Sequence, residues 1–401
     1  MLEKIEQARE RIKNVAVWTP FSYSVLLSET NTFEVYLKKE NLQLTGAFKL
    51  RGAFNKIATL SEDERKKGVV AASAGNHAQG VAYSARHFGI SSIIVMPENT
   101  PLTKISGVKS YGSTVVLHGA NYDEAYEYAI NIAKESNLVF VHPFEDMEVI
   151  AGQGTIALEM LDDIPDLDAV VIPVGGGGLI SGMAKAFKAI KPDIKVIGVS
   201  ALGAPALKNS FDAKEVVSPV DVKTIADGIA VRNASDITLA HMVDSVDEVI
   251  TVDDEEIASA ILLLLEKQKL VVEGAGAVGV AALMHGKIES DVFKKVGVVL
   301  SGGNIDVTML SVIIEKGLMK SSRKMKLIVT LIDKPGSLTT LSQLLASAHA
   351  NIVHIGYDRT STTLEYGDAH VTIHLETKGI EHQNEISSVL LENGYAYEQV
   401  T

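Results

Sequence analysis

The chain reads as an α/β protein with parallel sheets, followed by a smaller α+β unit. Three observations predict this. Apolar β-branched runs alternate with helix-period segments through residue 320, the pattern of βα units whose strands are covered by helices on both faces. Small polar or glycine-rich loops directly follow three of those runs, at residues 73, 175 and 301. Beyond a short basic, serine-containing stretch at 316–326, the order changes to βαββαβ, which is ferredoxin-like.

In order, residues 68–72, 92–96, 114–117, 169–174, 195–199 and 296–300 read as strands buried on both faces. Residues 77–87, 122–134 and 180–190 carry helical periodicity between them. The aliphatic run 260–265 is flanked by Glu255-Glu256 and Glu266-Lys267 and reads as a buried helix, not a membrane span. The acidic run 253–256 reads as a solvated helix start. In the tail, strands are expected at 325–332, 351–358, 369–376 and 395–400, with helices at 337–348 and 383–391.

A chain of 401 residues exceeds what one hydrophobic core usually serves, so more than one domain is expected. Its net charge of -13 argues against a nucleic-acid polymer as partner. Cysteine is absent, which removes disulfides, thiolate zinc sites and thiol nucleophiles. The start has no apolar core of signal-peptide length, and no stretch reaches membrane-spanning length. A cytoplasmic protein with no membrane partner is the expectation. His370 and His374 have i,i+4 spacing, but their segment is strand-like and no acid completes a zinc-protease pattern, so no metal is expected.

Four segments carry candidate chemistry. In Gly46-Ala47-Phe48-Lys49-Leu50-Arg51-Gly52-Ala53 a lysine lies among small residues at the start of a helical run. Lysine alone among side chains forms a Schiff base, and it needs a neutral amine to do so. Gly175 to Gly178 lies between a strand and a helix. Glycine lets backbone N–H groups approach phosphate oxygens, and the helix N-terminus adds a favourable field. The spacing fails G-x-G-x-x-G, because the last place falls on Ile180 or Ser181, and no Gly-Lys-Ser/Thr follows for a P-loop. Ser73-Ala74-Gly75-Asn76-His77 opens a helix and can hold a carboxylate with its amides and hydroxyl. Read from residue types alone, Ser73 is a helix cap and His77 a satisfied loop histidine rather than a catalyst. Ser301-Gly302-Gly303-Asn304 follows the last strand, where the alternative is a simple turn.

Together these segments resemble the pyridoxal-phosphate enzymes of the tryptophan-synthase β-subunit type (fold type II), closest to the threonine ammonia-lyases, over about residues 5–320. The resemblance implies a catalytic domain at 1–320 with a smaller subdomain, roughly 50–150, inserted in it. It implies that Lys49 carries the cofactor as a Schiff base and then moves protons. Phe48 would lie against the pyridine face, Gly175, Gly176, Gly177 and Gly178 would hold the phosphate, and Ser301 would face the ring nitrogen. Ser73, Ala74, Gly75, Asn76 and His77 would form the substrate-carboxylate loop, with Asn76 reaching the cofactor's ring oxygen. Glu273 resembles a family acid near the ring, a helix-start carboxylate being the alternative. A neutral hydroxyl at the ring nitrogen makes a weaker electron sink, which suits β-elimination better than transamination.

The activity so implied is conversion of L-threonine to 2-oxobutanoate and ammonia, with L-serine to pyruvate as a secondary reaction. Serine racemase, which is also a serine ammonia-lyase, is the nearest rival. That family carries a second serine where this chain has Ala74, and metal carboxylates where it has Ser200 and Ala206. An alternative of another class is a catalytically inactive amino-acid sensor; the retained Lys49, Asn76 and Ser301 argue against it. With Asp333-Lys334-Pro335-Gly336-Ser337-Leu338 in its first turn, the tail, 325–401, resembles an ACT domain. That implies allosteric control by an amino-acid or nucleotide effector near Asp333, Gly336, Leu338, Asn351 and Ile352, and a homodimer or homotetramer.

Overall fold

A computed structural model describes residues 1–217 and 221–400 and divides into two compact units, Met1–Ile305 and Asp306–Thr401. Among the described residues the first unit contains ten strands: β1 (Phe21–Tyr23), β2 (Glu34–Lys38), β3 (Val69–Ala72), β4 (Ser92–Met96), β5 (Thr114–Leu117), β6 (Val139–Phe140), β7 (Ala169–Pro173), β8 (Lys195–Ala201), β9 (Glu248–Val252) and β10 (Lys295–Val299). They form two sheets, ordered β5-β4-β3-β6 and β1-β2-β10-β7-β8-β9. All pairs are parallel except β1 with β2. That antiparallel edge departs from the all-parallel expectation. Its two strands, Phe21-Ser22-Tyr23 and Glu34-Val35-Tyr36-Leu37-Lys38, carry polar or charged residues among the apolar ones and so lack the continuous apolar run that marks the central strands.

The central strands β3 and β7 are buried at every position, as strands covered on both faces must be. The helix Lys49–Ala58 packs between the helices Asn76–Phe88 and Met147–Asp163. Small residues allow this. A Cβ on Gly52 would lie 2.6 Å from the Val149 carbonyl oxygen, and one on Gly152 would lie 2.6 Å from the Cα of Gly52. The two helices therefore cross backbone to backbone, which explains why glycine follows Arg51.

Arg51 itself is wholly buried. Its guanidinium reaches Glu40 (Nε–Oε2 2.8 Å) and Glu159 (Nη1–Oε1 2.6 Å), and Lys38 Nζ closes the group on Glu159 Oε2 at 2.6 Å. Two cations and two carboxylates thus satisfy one another beneath the first turn of the Lys49 helix, and Thr19 donates to Glu40. Nothing in the sequence pattern announced this network, because its members lie on four elements: Lys38 on β2, Glu40 on the short turn Glu40–Leu42, Arg51 on the Lys49 helix and Glu159 on the helix Met147–Asp163.

The acidic run begins a helix as expected: Asp253 caps Asp254–Leu263 through a capping box with Glu256. The aliphatic run is less buried than expected. Ala260, Ile261 and Leu264 are buried, but Leu262, Leu263 and Leu265 are half-buried. The helix there passes into a π-turn at Leu264–Gln268, which rotates the face it presents.

The second unit opens with the helix Val307–Lys320 and continues as β11 (Lys324–Ile332), the helix Ser337–Ser347, β12 (Asn351–Asp358), β13 (Asp368–Glu376), the helix Ile380–Glu392 and β14 (Tyr397–Val400). After its first helix the order is βαββαβ, with an antiparallel sheet ordered β12-β13-β11-β14. Burial alternates strictly along β11 and β13. Their inward residues Leu327, Val329, Val371 and Ile373 pack on Leu341, Leu345, Ile386 and Leu390 of the two following helices.

Candidate active site

Ser73, Gly175 and Ser301 each stand just past the carboxyl end of a strand: β3, β7 and β10. Sequence could place them at that edge but could not show that they meet. In the structure they line one cavity of about 410 Å³, together with Phe48 and Lys49. Such crevices at the carboxyl edge are where open parallel sheets hold ligands.

Lys49 begins its helix and points its amine into this cavity, where Nζ donates to the Pro143 carbonyl at 2.8 Å. Burial lowers its pKa to about 8, against the opposing attraction of Glu273. The lysine loop is tied down by the last strand's loop. Phe48 N–H donates to the Ser301 carbonyl at 3.1 Å, Gly303 N–H to the Gly46 carbonyl at 2.8 Å, and Ala47 bridges Gly302. Gly46 takes φ +72°, the left-handed turn that lets the chain enter there.

Gly175 to Gly178 all line the cavity. Gly177 has φ +84° and caps the helix Gly178–Ile190, so the first N–H groups of a 13-residue helix face the cavity. The other side of the loop is pressed onto protein. A Cβ on Gly175 would lie 2.7 Å from Ile229 Cα, and one on Gly176 would lie 2.4 Å from the Phe144 ring.

In the 73–77 loop, Gly75, not Ser73, occupies the N-cap position, and it makes no side-chain cap bond. The Ser73 hydroxyl instead accepts the Gly75 N–H at 3.1 Å and closes the turn. Asn76 joins the loops. Its amide donates to Glu273 Oε1 at 2.7 Å, and its carbonyl oxygen accepts from Asn304 at 2.7 Å. Glu273 is buried, and burial, reinforced by nearby Asp227, raises its pKa to about 7. As the N-cap residue of Gly274–Met284 it forms no side-chain cap bond; its carboxyl faces Asn76 instead. His77 is also buried. Its Nε2 bonds the Val141 carbonyl at 2.8 Å, while Nδ1 has no partner among the described residues. Burial, then the Lys49 charge, lowers its pKa to about 3, so the ring is neutral.

Sequence reasoning missed several cavity residues. The segment after β6, His142-Pro143-Phe144-Glu145, lines the cavity beside Lys49. The signal was a two-residue strand, too short for its periodicity to be read. Lys104 and Asp227 also line the cavity and pair at 2.7 Å; sequence offers no sign of a pair from such distant segments. The tail candidates do not converge within one chain. Asp333 follows Ile332, whose partner is Asp368, whereas Asn351 pairs Glu376 and so lies opposite Lys324 at the far end of the sheet. Asp333 already accepts from Tyr357 at 2.9 Å and Arg359 at 3.3 Å.

A buried amine of lowered pKa, a side-chain-free loop at a helix N-terminus and a neutral hydroxyl, all lining one cavity, define an enzyme that binds a phosphorylated carbonyl cofactor. A family model for pyridoxal-phosphate dependent enzymes matches residues 12–302, and the chain belongs to that family. It is 50% identical over 395 residues to an L-threonine ammonia-lyase of Thermotoga maritima, a match covering 98% of this chain and 98% of that protein. Among solved structures it is similar to maize serine racemase, with TM-score 0.75 and 36% identity over 80% of this chain and 98% of that one. It is also similar to the processed form of threonine deaminase isoform 2 from Solanum lycopersicum, with TM-score 0.73 and 37% identity over 78% and 88%. The residues present fit pyridoxal phosphate: the amine suits its aldehyde and the helix-start loop suits its phosphate.

Proposed function

We propose that this chain is a threonine ammonia-lyase, converting L-threonine to 2-oxobutanoate and ammonia and, more slowly, L-serine to pyruvate. The observation that carries the reading is the convergence of the Lys49 amine, the glycine loop and the 73–77 loop on one cavity, supported by the Thermotoga maritima relative. When bound, pyridoxal phosphate supplies an electron sink for chemistry at the Cα of an amino acid. Lys49 would hold its aldehyde carbon, Gly175 to Gly178 its phosphate, Phe48 and Asn76 its ring, and Ser301 its ring nitrogen. Once free, Lys49 Nζ moves the proton at the substrate Cα. Ser73 to His77 orient the substrate carboxylate. Glu273, half-ionised near neutrality, holds the Asn76 amide in place and sets the charge felt by Lys49.

Ala74 favours the lyase over the racemase, whose opposite-face base would be a hydroxyl at this position. Ser200, at one of the racemase's metal positions, donates its hydroxyl to the Val174 carbonyl. The test is α-keto-acid formation from L-threonine and L-serine, with chiral analysis of residual serine. Prompt 2-oxobutanoate with no D-serine supports the reading; steady D-serine accumulation would make it a racemase.

The tail, from about residue 325, is proposed to be a ferredoxin-like ACT domain that regulates the enzyme. Its βαββαβ order and the φ of +94° at Gly336 support this. Asp333, Gly336 and Leu338 would form one part of an amino-acid or nucleotide effector site. Asn351 and Ile352, at the sheet's other end, would join it only from another copy, which favours a homodimer or homotetramer. No helix among the described residues is long and apolar enough to cross a membrane. Deleting residues after Ser321 should leave lyase activity that no longer responds to branched-chain amino acids or nucleotides. A full-length enzyme indifferent to both would refute regulation.

A further inference from the structure

The segment from Val141 to Asp146 touches three parts of the proposed cofactor site: His77, the Lys49 helix and the glycine loop. The Val141 carbonyl accepts from His77, and the Pro143 carbonyl accepts from Lys49 Nζ at 2.8 Å. Phe144 lies where side chains on Gly176 or Gly178 would be, with its Cα 2.9 Å from the position a Cβ would take on Gly178. Asp146 pairs with Lys56 at 2.6 Å, on the same helix as Lys49. One short turn therefore holds the lysine helix at both ends and backs the glycine loop.

The turn is closed from inside by His142. Its Nδ1 accepts the N–H of Glu145 at 2.9 Å and of Phe144 at 3.3 Å. That leaves the proton on Nε2, 3.3 Å from Glu145 Oε2. The ring also stands edge-on to Phe144, with centroids 4.8 Å apart. We propose that His142 is a positioning residue for Lys49: its imidazole closes the 142–145 turn so that the Pro143 carbonyl and the Phe144 ring keep the lysine amine and the glycine loop in register. The inference rests on the reading that Lys49 carries the cofactor.

The role requires a neutral ring, since a protonated one cannot accept two N–H bonds. Glu145 and Asp146 favour the charged form, while burial and the charge of Lys49 oppose it. Burial prevails and lowers the pKa to about 4. His142 is thus an acceptor throughout the neutral range.

The test uses full-length holoenzyme and follows bound pyridoxal phosphate by absorbance as it is lost on dilution into cofactor-free buffer. His142→Ala should lose cofactor about fivefold to tenfold faster, the scale expected when a buried turn loses its acceptor. In turnover its kcat should fall more than its KM changes. His142→Asn, whose side-chain oxygen can accept the same N–H groups, should stay within about twofold of wild type. His142→Gln, whose longer side chain cannot close the turn, should behave as the alanine variant does. Equal release rates for wild type and His142→Ala would overturn the proposal. If the alanine variant does not fold, equal rates for the asparagine and glutamine variants would overturn it as well. Release needs no amino-acid substrate, so the outcome is independent of whether threonine is the true substrate.

Discussion

Capture of pyridoxal phosphate by the cofactor-free full-length protein should rise with pH around a midpoint near 8, and Glu273→Gln should move that midpoint down. The attacking species is the neutral Lys49 amine. With its pKa lowered to about 8 by burial, roughly one molecule in ten carries a neutral amine at pH 7, against about one in 2,500 for an unperturbed lysine. The net shift, with Glu273 already opposing burial, corresponds to about a 200-fold gain in reactive amine. Glu273 works against this gain, because its carboxylate favours the ammonium form. Its own pKa, raised to about 7 by burial and then by Asp227, makes it mostly ionised over the upper half of the titration. The neutral amide of Glu273→Gln removes the attraction and leaves burial unopposed. The assay is the rate of growth of the protein-bound cofactor band, measured from pH 6 to 10 for both proteins. Titration of the free cofactor is common to the two, so the difference between midpoints belongs to the protein. A wild-type midpoint near 10, or a Glu273→Gln midpoint at or above that of wild type, would refute the reasoning.

Gly175→Ala places a methyl 2.7 Å from Ile229 Cα. Backbone must shift, at about 1–3 kcal/mol, and cofactor affinity measured by absorbance titration should fall; unchanged affinity would show that the loop is not the phosphate cradle. Arg51→Met leaves Glu40 and Glu159 buried with Lys38 as their remaining cation. Denaturant unfolding should show a loss of about 3–5 kcal/mol, and a loss below about 1 kcal/mol would mean that water enters to solvate the carboxylates. His77 is held neutral with a pKa of about 3. Its folded pKa lies below the unfolded value near 6.5, so stability is full above that value and is lost as pH falls towards 3. The slope from this group is about 1.4 kcal/mol per pH unit in that window, and urea midpoints for His77→Gln should show a correspondingly flatter acid limb.

The local parts of this protein were legible in its sequence because their signals are local. Continuous apolar runs marked β3, β4, β7, β8 and β10, since strands covered on both faces tolerate no polar alternation. The lysine among small residues, the four glycines and the Ser-Ala-Gly-Asn-His loop were visible because cofactor chemistry restricts residue type at adjacent positions. In the second unit β11 and β13 alternate strictly between buried and half-buried positions along most of their length, because one face of their sheet packs on helices. Tertiary structure decided what depends on separated segments meeting. It brought three strand-end loops onto one cavity, turned the Glu273 carboxyl towards Asn76, and placed His142 and Pro143 beside Lys49. It also gathered Lys38, Glu40, Arg51 and Glu159 into one buried group, and set Asp333 and Asn351 at opposite ends of a sheet. Each of these rests on burial and on distances across the fold. Those quantities shift an amine's pKa or neutralise a buried charge, and they have no counterpart in the order of residues along the chain.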